Sequence, residues 1–164
     1  MSKHHPCSLF SVNLSLCLSV CRGSANICTH LLFLFLLFMT IAKDFDGLCQ
    51  PLLSEGLQAA LVTDKDGVVM LKNVLPSAPP RFIEPTFLTS FGVASSQASK
   101  IGLKQNKCIV STFDLYQVIQ FDHSPIIITL ITDAGANTGI FVQLGYTIQD
   151  LTRPLAQDLQ DKQT

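Results

Sequence analysis

Gly56-Leu57-Gln58-Ala59-Ala60-Leu61-Val62-Thr63-Asp64-Lys65-Asp66-Gly67-Val68-Val69-Met70-Leu71-Lys72 reads as strand, tight turn, strand. The runs 57–63 and 68–74 are rich in residues that favour a pleated, half-buried surface. Asp64-Lys65-Asp66-Gly67 sits between them, and Asp and Gly accept the positive φ that a short hairpin turn demands. The same four residues begin like a calcium loop. They lack a third oxygen ligand ahead of the glycine and the glutamate that closes an EF-hand, so a turn is the preferred reading.

Upstream, Phe45, Leu48, Leu52 and Leu53 are spaced toward one face of a short helix expected from Asp44 to about Ser54, kinked or opened by Pro51. Composition changes just before it. All twelve acidic residues lie at or after Asp44, whereas residues 1–43 carry only Lys3, Arg22 and Lys43 as charges. The chain therefore divides into an apolar appendage, 1–43, and a module, 44–164. Within the appendage, residues 31–42 (Leu-Leu-Phe-Leu-Phe-Leu-Leu-Phe-Met-Thr-Ile-Ala) form an apolar run. That run is shorter than the roughly 20 residues needed to span a bilayer as a helix. Its length suits a signal-peptide core, with Thr40 and Ala42 as a small-residue cleavage pattern, but the preceding segment is too long and too weakly basic for an ordinary n-region. A misplaced start, or a splice form whose beginning is Met39, is the preferred alternative to a signal or membrane anchor. Asn13-Leu14-Ser15 is the one glycosylation sequon.

Downstream, Pro76, Pro79 and Pro80 mark a loop, and Pro85 suits the first turn of a helix reaching Ser99 or Lys100. Phe87, Phe91, Ala94, Ala98 and Ile101 form its apolar stripe, while Gly92, Ala94, Ser95, Ser96, Ala98 and Ser99 make its second half small-sided. Strands are expected over 107–113 and 116–121, turning at Asp114-Leu115, and over 126–132. The last is apolar on both faces and belongs at the centre of a sheet; Tyr116-Gln117-Val118-Ile119-Gln120-Phe121 alternates. A final helix starts near Asn137 or Thr138, passes through Ile140, Val142, Leu144, Ile148 and Leu151, and should bend or break at Pro154. This order gives an α+β fold, a five-stranded antiparallel sheet sandwiched between helices.

The chemistry on offer is sparse. From Asp44 onward eight basic residues face twelve acidic ones, a net of −4 with no basic stripe, which argues against nucleic acid. Cys7, Cys17, Cys21 and Cys28 lie in the appendage and only Cys49 and Cys108 in the module, so no disulfide framework is expected. The spacing of Cys17 and Cys21, with His4, His5, His30 and His123, does not complete a zinc site. Asp133-Ala134-Gly135-Ala136-Asn137-Thr138-Gly139 joins a strand to a helix and offers amides to an anion, but it misses the known phosphate-loop and dinucleotide glycine patterns, and a structural turn is preferred. Cys108 with His123 is the sole nucleophile–base pairing in the module. A buried strand cysteine and a surface histidine are the ordinary identities of such residues. Asp122 and His123 are neighbours whose side chains should diverge. Lys100, Lys104 and Lys107 form a basic cluster that reads first as a solvated loop and second as a contact for an acidic partner or lipid headgroups. No catalytic residue, cofactor or metal is expected.

The small-sided helix flank is different, because one face must cover the sheet while the other admits a partner helix. If 107–113 is a sheet edge, its free amides and carbonyls can extend the sheet into another chain. The surface so defined comprises Phe87, Phe91, Ala94, Ser95 and Ala98 on the helix with Cys108, Val110 and Thr112 on the strand.

Five segments together resemble the roadblock family over about residues 41–162. They are 56–72, Phe87-Leu88-Thr89-Ser90-Phe91, Ala98-Ser99-Lys100-Ile101-Gly102-Leu103, 116–121, and Ala136-Asn137-Thr138-Gly139. Within the family they look like the kinase-scaffold branch that serves the late endosomal and lysosomal Ragulator complex. The resemblance implies a profilin-like fold and a non-catalytic subunit that heterodimerises with a second roadblock protein through the middle helix and neighbouring strand. It further implies a larger Ragulator-type assembly, Rag GTPases and target-of-rapamycin signalling, and kinases of the mitogen-activated cascade as partners. Membrane attachment is then indirect, through a different, lipidated subunit, at the cytoplasmic face of late endosomes and lysosomes. The chain has no Met-Gly opening for myristoylation and no prenylation ending, which agrees with borrowed attachment. The apolar first 38 residues depart from the family pattern and leave a membrane-anchored or secretory fate open. A dynein-associated roadblock subunit, or a small phosphate-ligand enzyme using 133–139, are the alternatives.

Overall fold

The computed structural model describes residues 25–161, with side chains from residue 35 onward. The sequon at Asn13 and Cys7, Cys17 and Cys21 lie outside the described residues. The chain divides into two units, Met1–Leu37 and Phe38–Thr164. Helix α1 runs from Ala25 to Cys49. It begins well ahead of Asp44, because a run of Leu and Phe is as good a helix former as the charged segment that follows. Ile41, Phe45 and Cys49, four residues apart, are its buried stripe. Pro51 lacks the N–H that would continue the α ladder, so the expected helix to Ser54 is instead a 3₁₀ turn over Gln50–Leu53.

Strands β1 (Leu57–Asp64) and β2 (Val69–Val74) form the expected hairpin. Asp64 Oδ1 accepts from the amides of Asp66 and Val68 at 2.9 and 2.8 Å, an Asx turn that closes the loop without a metal. Gly67 has φ +83°, and a Cβ there would meet Thr89 and Pro85 at 3.2 and 3.3 Å, so the turn abuts the start of the middle helix. A 3₁₀ turn over Pro80–Ile83 leads into α2 (Pro85–Ser99). Then follow β3 (Cys108–Thr112), β4 (Tyr116–His123), β5 (Ile126–Asp133) and α3 (Thr138–Asp161). The helix α3 passes through exposed Pro154 rather than stopping there. A cis Ser124–Pro125 bond lies in the turn from β4 to β5.

The sheet order is β2-β1-β5-β4-β3, every pair antiparallel. Central β5 is buried along Ile126–Thr132, as a strand covered on both faces must be. One cross-strand row, Asn73, Ala60, Leu130, Ile119 and Val110, points to one face. There Asp46 of α1 accepts from the Asn73 amide at 3.0 Å, and Tyr146 of α3 meets the Phe121 ring edge-on at 5.4 Å. The next row, Val74, Ala59, Ile131, Val118 and Ser111, points to the other face. Phe82 and Phe87 cover it, with Phe82 edge-on to Tyr116 at 5.1 Å.

The alternation of β4 does not become an exposed polar face. Gln117 and Gln120 are both buried, because helices cover both sides of this strand. Gln117 Nε2 donates to the carbonyls of Ala134 and Ala136 at 2.6 and 3.2 Å, and its Oε1 accepts from Thr138 Oγ1 at 2.6 Å. One buried amide thus fixes the β5–α3 loop, satisfying groups that would otherwise be costly to bury.

Candidate interface

Among the described residues strand β3 pairs only with β4, which leaves its second edge open there. Which residues face that edge follows from the ladder. Phe113 N donates to Tyr116 O at 2.8 Å, and Asp122 N donates to Lys107 O at 2.9 Å. Antiparallel strands alternate bonded and non-bonded pairs, so Ile109 and Ser111, in step with Lys107 and Phe113, spend their N–H and C=O groups on β4. Cys108, Val110 and Thr112 point theirs outward. The three strand positions named from sequence are therefore the ones whose backbone donors and acceptors point away from β4.

Their side chains lie on the opposite sheet face from α2. Cys108, Val110 and Thr112 are paired with Phe121, Ile119 and Gln117, on the α3 side. The β3 side chains that share the α2 face are Ile109 and Ser111, paired with Gln120 and Val118. Of the β3 side chains, Ile109 and Ser111 are therefore the ones on the sheet face that α2 covers. The turn at Asp114-Leu115 decides which β3 side chains share the α2 face, since it fixes the register of every pair behind it.

On α2, Leu88 and Phe91 are buried, Phe91 to 2% exposure, against this chain's own fold. Phe87, Ser95 and Ala98 are half-buried and Ala94 is exposed. Phe87 packs on Ala59, Val118 and Ile131 with Phe82. Phe87 and Phe91 thus face the chain's own fold, and the exposed side of α2 is Gly92, Val93, Ala94 and Ser96, with Ser95 and Ala98 half-buried at its margin. Ile101, the expected last member of the stripe, is exposed beyond the end of the helix.

The anion-loop and dyad alternatives find little support in the geometry. In the 133–139 loop Asp133 N donates to Gly56 O, Ala134 N to Leu115 O, Ala136 N to Asp133 O and Gly139 N to Asn137 Oδ1, so the amides are largely committed within the fold. Burial pushes the Cys108 thiol up, away from the thiolate a nucleophile needs. Burial pulls His123 down, helped by Arg153 and partly opposed by Asp122 and Asp150. Its Nε2 has no hydrogen-bond partner among the described residues. No group of three or more metal-ligating side chains occurs among the described residues. Nor is any described helix long and apolar enough to cross a membrane.

A family model described as mitogen-activated protein kinase kinase 1 interacting matches residues 40–159. The chain is 40% identical over 103 residues to the Ragulator complex protein LAMTOR3 of Homo sapiens, covering 63% of this chain and 83% of that protein. Among solved structures it is similar to the gliding protein MglB of Thermus thermophilus, with TM-score 0.58 and 16% identity over 72% of this chain and 92% of that one. A roadblock/LC7 domain from Streptomyces avermitilis superposes with TM-score 0.51 and 13% identity, covering 61% and 85%. The fold is thus that of roadblock/LC7 domains.

Proposed function

Because this chain belongs to the family of mitogen-activated protein kinase kinase 1 interacting proteins, we propose that it is a non-catalytic scaffold subunit that pairs with a second roadblock-domain protein in a Ragulator-type complex. The observation that carries this reading is the open β3 edge. Three residues offer unspent backbone groups, and on α2 the exposed Gly92, Ala94 and Ser96 leave room for a second helix. Adding a partner strand there extends the five-stranded sheet across two chains, and the small-sided flank of α2 supplies a second contact. Within this reading Cys108, Val110 and Thr112 supply the backbone pairing, and Ala94, Ser95 and Ala98 the close helix approach. Phe87 and Phe91 act indirectly by fixing α2. The pair then serves a Ragulator-type assembly on late endosomes and lysosomes. It helps to position Rag GTPases for target-of-rapamycin signalling and to scaffold kinases of the mitogen-activated cascade, with attachment through another, lipidated subunit.

The test is mass spectrometry of proteins that co-purify stoichiometrically with the endogenous chain after gentle solubilisation. A second roadblock subunit together with Rag GTPases is the expected result. Dynein chains in their place, or the chain alone in a secretory fraction, would overturn the assignment.

A further inference from the structure

The segment Lys100-Ile101-Gly102-Leu103-Lys104-Gln105-Asn106-Lys107 links α2 to β3. Leu103 and Ile101 are 82% and 72% exposed, more than any other large apolar side chain among the described residues. Lys100, Lys104 and Lys107 are exposed with them. The single ion pair among the described residues is Arg153 with Asp150, so none of these lysines is neutralised. Gly102 and Lys104 have φ of +84° and +71°, two left-handed residues flanking Leu103 that fold the chain sharply around it. The loop is nevertheless held at its base, where Gln105 Nε2 donates to Asp122 Oδ2 at 2.8 Å and Asp122 N to Lys107 O at 2.9 Å.

We propose that this tip docks on an anionic lipid surface, with Ile101 and Leu103 entering the boundary between headgroups and acyl chains and the three lysines meeting the headgroups. Three features favour lipid over a protein. Interleaved aliphatic and ammonium side chains match the layered polarity of a bilayer surface. A protruding tip of eight residues is too small for a stable protein interface, which needs about 800 Å² per partner, whereas a lipid surface asks for no matching shape. Charge also orients the domain. Without these lysines, residues 44–164 hold five basic residues against twelve acidic ones, so the tip carries three of the eight positive charges in a net-acidic module and an anionic surface favours a tip-first approach. The segment belongs to neither the edge residues of β3 nor the flank of α2, so the inference stands apart from the pairing surface.

The experiment is flotation of the full-length chain with vesicles of phosphatidylcholine alone and with about one third phosphatidylserine. The difference between the two isolates the charge-dependent step from any binding by the apolar run 31–42, which is common to both. Each lysine near an anionic surface is worth roughly fivefold in partitioning. K100Q/K104Q/K107Q should therefore remove a phosphatidylserine-dependent gain of about a hundredfold, and I101S/L103S should remove much of it with the charges intact. Hydrogen exchange of 100–107 should slow on adding the anionic vesicles. An unchanged gain in the triple variant, or protection of 100–107 by a protein partner and not by vesicles, would overturn the proposal. Heterodimerisation of both variants should match wild type, which separates this inference from the scaffold reading.

Discussion

Val110→Pro isolates the β3 edge from the stability of the chain that carries it. Val110 is non-bonded to β4, its side chain is 45% exposed, and its N–H points to the open edge. Proline there removes no intramolecular ladder bond, which is the one circumstance in which a strand accepts it readily. In a sheet continued across two chains, Val110 would exchange two hydrogen bonds with the opposing residue. Proline deletes its donor, and the ring obstructs approach at the roughly 4.8 Å that strands require. At a net 0.5–1.5 kcal/mol per bond, the loss is about 1–3 kcal/mol, or roughly 5- to 150-fold in Kd. Ile109→Pro is the internal control, because it breaks the Ile109–Gln120 pair and should destabilise the isolated chain. The assay is titration calorimetry against the second roadblock subunit, beside thermal melts of each variant. Wild-type affinity in a folded Val110→Pro protein would show that β3 is not the pairing edge. A melting loss equal to that of Ile109→Pro would show that the ladder register was misassigned.

Gly145→Ala should destabilise the fold by about 2–4 kcal/mol, since a Cβ would stand 2.1 Å from Cε2 of the fully buried Phe121 ring; that outweighs the roughly 1 kcal/mol gained in helix propensity. A denaturation curve measures it, and Phe121→Leu in the same chain should recover part of the loss. Gln117→Leu should cost about 2–4 kcal/mol, because it orphans the carbonyls of Ala134 and Ala136 and the Thr138 hydroxyl. Hydrogen exchange of 133–139 should accelerate in that variant ahead of the sheet. Cys49 is held protonated by burial, with Asp46 adding to the effect, and its thiol is pushed up to about 12. Its neutral form is favoured in the fold, so its contribution is full below pH 9, the ordinary thiol value, and declines as the unfolded chain ionises above it. Native protein at pH 8 should leave Cys49 unlabelled by a maleimide while half-buried Cys108 reacts, and Cys108 should become protected in the heterodimer.

The hairpin at Asp64–Gly67, the α2 span from Pro85 and the three later strands were legible because each is a local matter. Turn chemistry, a proline at a helix start and the period of apolar residues act over neighbours in the chain. The helix ahead of Asp44 was misjudged because a change in charge was read as a change in structure, and a helical backbone is indifferent to that boundary. Tertiary structure alone decided the rest. Gln117 and Gln120, polar positions of a strand read as alternating, are both buried, for only packing determines whether a polar position needs water or a partner. Phe91 looked available to another chain until the sheet took it. The separation of Val110's side chain from α2, and the outward aim of its amide, arise from strand register, a long-range property set where β3, β4 and β5 meet. Sequence determined which elements exist and their order. The pairing of strands determined which atoms remain free for a partner, because a backbone group is available only when no neighbouring strand has already claimed it.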